Sequence, residues 1–169
     1  MDATLENIDR TAINPALALL PGSMDTPRAR VMLLAIGLQE SRFEHRRQLH
    51  NGPARGFWQF EQGTRASKGG VWGVYLHPAS AGFLRQLCVA RGVQHSPADI
   101  WRAIEHDDVL AAGLARLLLW TDALPLPALG DEAGAWDLYA RRCWRPGKPH
   151  PETWPGFYAR ALAHVRAGG

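Results

Sequence analysis

The sequence predicts an all-α or α-dominated domain with one irregular insertion, and three observations lead to this prediction. Several segments begin with a polar capping residue and a proline, and then carry apolar residues at the spacing of a helix face. Residues 51–73 are rich in glycine and lack that spacing, which is typical of an irregular segment or a short β-hairpin. A length of 169 residues with 46% hydrophobic and 21% charged residues suits one globular domain. We therefore expect a single domain over residues 1–169, with residues 1–14 flexible.

The first strongly marked helix is predicted to begin at Thr26, a capping residue, with Pro27 in its first turn. Four apolar residues then fall on one face of this helix: Val31, Leu34, Ala35 and Leu38. We expect the helix to end at about residues 39–43. After the irregular segment, a second helix is predicted over residues 79–91. Its inward-facing residues are predicted to be Phe83, Leu87 and Cys88.

Four more helices are predicted in the second half of the chain: residues 96–105, 108–120, 131–142 and 154–166. Ser96 and Pro97 form a strong start signal for the first of them. Pro125 and Pro127 break the chain after the second, and residues 145–151 contain three prolines and should form a rigid loop. About seven helices around one glycine-rich insertion describe a helical bundle.

The charge of the chain favours an anionic partner, because the formal net charge is +3 and the pI is about 9.2. Cell-wall polymers and nucleic acids both fit such a balance. The basic pairs at residues 46–47 and 141–142 are isolated, and no arginine-rich recognition helix is present in the sequence. We therefore expect no nucleic-acid partner. No apolar run approaches the roughly 20 residues that cross a bilayer, so no membrane span is predicted.

Residues 1–6 are acidic where a secretory signal would be basic and then apolar. We expect the protein to be made in the cytoplasm without a signal peptide. Cys88 and Cys143 lack a metal-site spacing, and free thiols are favoured over a disulfide. The seven histidines form no metal-ligand pattern either. We therefore expect a monomer without a metal or other cofactor.

A candidate general acid, Glu40, lies at the end of the first strongly marked helix and is followed by an aromatic segment at residues 56–61. A carboxyl at such a position is partly desolvated, which favours its protonated form. Glycosidases use such a carboxyl to protonate the leaving oxygen near neutral pH. A glutamate near a helix end can also be merely solvated, and the residues alone leave both interpretations open.

A family resemblance bears on this choice. Glu-Ser at residues 40–41, followed by Gly-Phe-Trp-Gln at residues 56–59, resembles the paired signature of soluble lytic transglycosylases and goose-type lysozymes. That signature is a Glu-Ser at a helix end and a Gly-Leu-Met-Gln strip lining the cleft. Residues 108–118 are similar to the next helix of the family, and Trp-Asp-Leu-Tyr at residues 136–139 stands where the family carries Ala-Tyr-Asn. The ordered likeness over residues 33–142 implies a lysozyme-like helical domain.

The resemblance implies that Glu40 is the catalytic acid and that Ser41, Gln59 and Tyr139 bind the substrate. Ser41 could bond the acid or a sugar N-acetyl group, or it could bond only backbone. The amide of Gln59 can both donate to and accept from a sugar. Ala140 follows Tyr139 where the family has asparagine, so Tyr139 could instead be a core residue.

Phe57 and Trp58 are also implied to bind substrate, and either ring could stack on a sugar face or pack in the core. Trp58 stands where the family usually has methionine, which would enlarge the aromatic wall. Glu61 lies two residues after Gln59, where goose-type lysozymes place an aspartate, and is a candidate second catalytic acid. It could also pair with Arg55 or Arg65.

The substrate implied by the resemblance is the β-1,4 bond between N-acetylmuramic acid and N-acetylglucosamine in peptidoglycan glycan strands. Attack by the muramyl 6-hydroxyl would give a 1,6-anhydro product and needs no second carboxylate, whereas attack by water could use Glu61. We favour the lytic transglycosylase over the hydrolytic lysozyme. A non-catalytic cell-wall-binding module is the remaining alternative. By analogy, such a domain suggests a bacteriophage or prophage endolysin that reaches the periplasmic wall after release, or a virion component.

Overall fold

The computed structural model of this chain describes residues 1–168, and it is dominated by helices, which confirms the predicted α-dominated class. In chain order the α-helices are α1 (Ala3–Ile8), α2 (Asn14–Ala18), α3 (Pro27–Ser41), α4 (Gly70–Leu76), α5 (Ala81–Arg91), α6 (Pro97–Ala103), α7 (Asp108–Trp120), α8 (Glu132–Trp136) and α9 (Trp154–Arg166). The π-helical segments Asp9–Ile13 and Asp137–Cys143 continue α1 and α8, and short 3-10 turns lie at Gly22–Met24 and Leu49–Asn51.

The central helix of the fold is α3, and it begins where the sequence predicts. The Thr26 hydroxyl accepts a hydrogen bond from the Ala29 amide at 3.1 Å, and Arg42 ends the helix in the left-handed conformation. The prediction of a single apolar face is too narrow, because every residue from 31 to 38 is buried. Helices α7 and α9 pack on α3, and the segment after Gly56 covers a further side.

The expectation that residues 1–14 are flexible is wrong. Asp2 caps α1 by accepting a hydrogen bond from the Leu5 amide, and the helix continues through the π-helical segment into α2. Its apolar side chains recur at helical spacing and are buried: Leu5, Ile8, Ala12 and Ile13. Asp9 and His164 form a buried pair with 2.6 Å between Oδ2 and Nε2, which joins this region to α9. Buried apolar surface therefore anchors the segment.

The irregular insertion contains a minimal β-like turn instead of a full hairpin. Arg55 pairs with Arg47 on one side and with Phe60 on the other through isolated antiparallel bridges. Gly56 starts the turn with a positive φ of 74°, and a Cβ there would lie 2.6 Å from the Ile104 carbonyl oxygen. Only glycine fits this position without a shift of backbone.

Helix α4 begins inside the segment that the sequence predicted to be irregular, so the prediction is wrong for residues 70–73. Glycines at positions 69, 70 and 73 hide the helical pattern in the sequence. The first amides of α4 are satisfied by tertiary contacts, because Val71 N donates to Glu61 O at 3.0 Å and Trp72 N to Gln62 O at 3.2 Å. The carbonyls of residues 61 and 62 therefore supply the start signal that the local sequence lacks.

The remaining helices follow the predictions with small shifts of their ends. In α5, Leu84 is fully buried while Phe83, which was predicted to face inward, is half-buried. Cys88 and Cys143 are both free thiols, as expected. Among residues 1–168, no helix has the length and apolar character that crossing a membrane would require.

Candidate active site

Glu40 lies in the last turn of α3 and is half-buried. Its Oε1 accepts a hydrogen bond from the Tyr139 hydroxyl at 2.7 Å. Burial raises the pKa of Glu40 to about 7, although the hydrogen bond from Tyr139 counteracts part of this rise. A substantial fraction of Glu40 is therefore protonated at neutral pH, as a general acid requires.

Tyr139 is held rigidly behind this carboxyl by the π-helical segment and α9. Its ring stacks on Trp154 with 5.1 Å between centroids and an interplanar angle of 3°. Only 2% of Tyr139 is exposed, so its packing matches the core alternative instead of the predicted direct contact with substrate. Burial and the nearby Glu40 raise the pKa of Tyr139, which keeps its hydroxyl protonated as a donor. Tyr139 is a positioning residue for Glu40.

The Ser41 hydroxyl is engaged with backbone, and this arrangement favours a structural role over the predicted contact with substrate. The side chain is buried, and its hydroxyl donates to the Phe57 carbonyl at 2.7 Å while accepting from the Phe43 amide at 3.1 Å. The backbone alternative noted for this serine is correct. Ser41 thereby joins the end of α3 to the strip at residues 56–59.

Phe57 and Trp58 are both buried, which matches the core alternative for these rings instead of the predicted stacking on a sugar face. Trp58 is 0% exposed, and its indole Nε1 donates to the Leu33 carbonyl at 2.8 Å. Phe57 is buried against the edge of Phe43, and the guanidinium of Arg46 lies 4.2 Å from its ring centroid. The strip faces α3 and the apolar interior because the tight turn at Gly56 directs both rings inward.

Among residues 56–59, only Gln59 has a polar side-chain atom, Oε1, that accepts no hydrogen bond from residues 1–168. It is half-buried, has a φ of 52°, and donates from Nε2 to the Gly56 carbonyl at 2.9 Å. Among residues 1–168, no group donates to its Oε1. Its proposed contact with a glycan stays a prediction.

Glu61 is exposed, and within residues 1–168 its carboxylate forms neither an ion pair nor a hydrogen bond. The two arginines considered as its partners are engaged elsewhere. Arg55 lies 3.8 Å from a carboxylate oxygen of Glu105, and Arg65 lies over the ring of Trp72. No contact in this region fixes the Glu61 carboxylate relative to Glu40, and its role as a second acid stays a prediction.

Two residues that the sequence analysis missed connect the predicted rigid loop, residues 145–151, to the site. Trp144 donates from Nε1 to the Trp58 carbonyl at 3.0 Å. Gln39, next to the candidate acid, donates to the His150 carbonyl and accepts from the Thr153 hydroxyl, each at 2.9 Å. These partners are distant in sequence, so no local spacing could have revealed them.

The site contains no recognisable metal centre. Within the described part of the chain, residues 1–168, no group of three or more histidine, cysteine, aspartate or glutamate side chains could hold a metal ion. Comparison of the chain with protein-family models, with curated proteins and with solved structures finds no match.

Proposed function

We propose that this protein is a peptidoglycan-cleaving glycosidase that acts on the β-1,4 bond between N-acetylmuramic acid and N-acetylglucosamine. The observation that carries the proposal is the environment of Glu40, whose pKa is raised to about 7 by burial while Tyr139 holds its carboxyl from behind. This combination suits a general acid that works near neutral pH. The resemblance of residues 40–41 and 56–59 to the wall-cleaving family selects the substrate.

In the proposed reaction, protonated Glu40 donates its proton to the bridging oxygen as the bond from that oxygen to the muramyl C1 breaks. Positive charge develops at C1, and Glu40 becomes a carboxylate. The hydrogen bond from Tyr139 stabilises this carboxylate, because charge-assisted hydrogen bonds are about twice as strong as neutral ones. Tyr139 thus helps the proton leave without touching the sugar.

We favour completion of the reaction by the 6-hydroxyl of the same muramyl sugar. Its oxygen bonds to C1, its proton returns to Glu40, and the product is a 1,6-anhydro end. The exposed position of Glu61, without a partner in residues 1–168, supports this route, because a water-activating base is normally held in place. The alternative is hydrolysis, in which Glu61 orients a water molecule.

The experiment compares purified wild type with Glu40→Gln on isolated peptidoglycan. The amide keeps the shape of the side chain but cannot deliver a proton, so release of soluble fragments should fall by about 10²–10⁴-fold. Glu44→Gln is the matched control, because Glu44 is exposed one turn later, and this variant should stay within twofold of wild type.

Mass spectrometry of the fragments distinguishes the two routes, since a 1,6-anhydro end is lighter by one water than a reducing end. Retention of cleavage in Glu40→Gln within tenfold of wild type would show that Glu40 is not the general acid. Wild-type protein that sediments with peptidoglycan but releases no fragments would instead support the non-catalytic wall-binding module.

A further inference from the structure

A groove of about 920 Å³ lies at the N-terminal end of α3, between that helix, the end of α7 and residues 124–129. Helix α3 has 15 residues and is therefore about 20 Å long, so the groove is well separated from Glu40. Its walls are largely apolar and include Leu119, Trp120, Leu124, Leu126 and Leu129. Leu124 is 58% exposed and Trp120 is 36% exposed, so two large apolar side chains of the groove are open to solvent.

Arg116 lies among these apolar side chains and is 2% exposed. Its Nε donates to the Met24 carbonyl at 2.8 Å, and its guanidinium lies 5.4 Å from the ring centroid of Trp120. Its Nη1 is buried without a hydrogen-bond partner among residues 1–168. A buried charged donor without a partner is costly, and native structures contain few of them.

Arg116 forms no ion pair with a carboxylate among residues 1–168, and its one hydrogen bond is to a backbone carbonyl. Burial lowers the pKa of Arg116 to about 10, which leaves the guanidinium protonated at neutral pH. The carboxylate of Asp25 attracts this charge but is bonded to Arg30 at 2.7 and 3.0 Å. Asp122, which lines the groove, is bonded to Arg142. The groove therefore combines apolar walls with a buried cation that forms no ion pair within residues 1–168.

Two further features add positive charge at the groove. Arg28 lines it, and the N-terminal end of α3 directs its helix dipole toward it. We propose that this groove binds a small apolar carboxylate, with the carboxylate on the guanidinium of Arg116 and the hydrocarbon body against Leu119, Leu124 and Leu129. The volume of the groove lies within the range of about 300–1,000 Å³ that is typical of small-molecule sites.

The test measures binding of octanoate to the full chain by isothermal titration calorimetry at neutral pH. Octanol is the matched probe, because it has the same chain length and no charge. Octanoate should bind at least tenfold more tightly than octanol. Equal affinity for the two probes, or no binding of octanoate, would overturn the assignment of a carboxylate.

Two exposed positions provide matched variants that should fold. Leu124→Asp places a negative charge at the rim of the groove and should weaken octanoate binding at least tenfold. Val89→Asp introduces the same charge on α5, outside the groove lining and at an exposed position, and should change binding less than twofold. Unchanged binding in Leu124→Asp would overturn the location of the site.

Arg116→Met removes the buried cation and keeps an unbranched apolar side chain. It should abolish the preference for octanoate over octanol, and a retained preference would overturn the role of Arg116. If this variant does not fold, the Leu124→Asp and octanol comparisons still test the proposal.

The groove could alternatively be a contact between two copies of the chain. A dimer that dissociates in Leu124→Asp, and that octanoate does not affect, would identify such a contact and overturn the proposed ligand site. Glu40→Gln should bind octanoate as wild type does, so this proposal and the proposed function can fail separately.

Discussion

Each end of α3 has a desolvated ionisable side chain nearby, and desolvation shifts the pKa values of the two groups in opposite directions. At the C-terminal end, burial raises the pKa of Glu40 to about 7, and Tyr139 donates a hydrogen bond to its carboxyl. Near the N-terminal end, burial lowers the pKa of Arg116 to about 10, and Nη1 has no partner within residues 1–168. Desolvation disfavours the charged form of both groups, but only Glu40 then titrates near neutral pH.

The difference follows from the ordinary pKa of each group. A glutamate starts at 4.5, so a rise to about 7 places its titration near neutral pH. An arginine starts at 12.5, and a fall to about 10 leaves it charged. Burial of a carboxylic acid therefore creates a group that can exchange protons, whereas burial of a guanidinium creates a fixed positive charge. We accordingly propose acid catalysis at one end and anion binding at the other.

The largest expected effect concerns the packing that holds the Glu40 end in place. Trp58→Ala should lower the free energy of unfolding by about 3–5 kcal/mol, because the indole is fully buried and bonded to the Leu33 carbonyl. Trp120→Ala at the groove end should cost only about 1 kcal/mol, since that ring is 36% exposed. Urea unfolding of both variants measures this difference. Similar losses for the two tryptophans would contradict the expectation that the more buried ring contributes more to stability.

The second expected effect is on the pH dependence of stability. The pKa of Glu40 is 4.5 when unfolded and about 7 when folded, so the stability that its protonated form contributes is complete below pH 4.5 and lost as pH rises through 7. The unfolding free energy of wild type should therefore fall by about 3 kcal/mol relative to Glu40→Gln across this window.

Arg116→Met is the control for that measurement. Arginine stays protonated throughout the window, because its pKa is about 10, so the stability difference between this variant and wild type should not change between pH 4.5 and 7. Unfolding by guanidinium chloride at several pH values tests the predictions for Glu40→Gln and Arg116→Met. A pH-independent difference between wild type and Glu40→Gln would show that Glu40 is not desolvated.

A smaller effect is expected from removal of the hydroxyl behind the acid. Tyr139 lowers the pKa of Glu40 by its hydrogen bond, so Tyr139→Phe should raise that pKa further. The alkaline limb of the kcat/KM profile for wall cleavage should move to higher pH accordingly. Tyr158→Phe loses a different buried hydroxyl, which accepts from the Gly130 amide, and should leave the limb in place. A shift of equal size in both variants would indicate a general loss of structure.

The smallest effect is expected at Glu61. If the 6-hydroxyl completes the reaction, Glu61→Gln should change fragment release by less than twofold, because the exposed carboxylate takes no part. Mass spectrometry should then find 1,6-anhydro ends in wild type and variant alike. Reducing ends that are lost in Glu61→Gln would instead identify a hydrolase with Glu61 as its second acid.

The local sequence determined where most helices begin, because capping depends on residues a few positions apart. Thr26 with Pro27, and Ser96 with Pro97, form the predicted start signals, and each hydroxyl accepts from the third amide beyond it. The position of Glu40 near the end of α3 is likewise local information. The resemblance selected Glu40 as the acid, and its raised pKa agrees with that prediction without testing the activity.

Only the tertiary structure decided the environments of the site residues. Tyr139 is 99 residues from Glu40 along the chain, so their hydrogen bond cannot be read from spacing. The sequence left Trp58 equally suited to a cleft wall or to the core, because an indole serves either purpose and burial alone distinguishes them. Arg116 lies in an apolar helix, and no local pattern marked it as a binding residue. Its place in the groove depends on residues 124–129 and the start of α3, which are distant in sequence. Capping depends on residues that are neighbours in the chain, whereas desolvation depends on the residues that the fold places around a side chain. The tertiary structure therefore decided the pKa shifts and the binding surfaces.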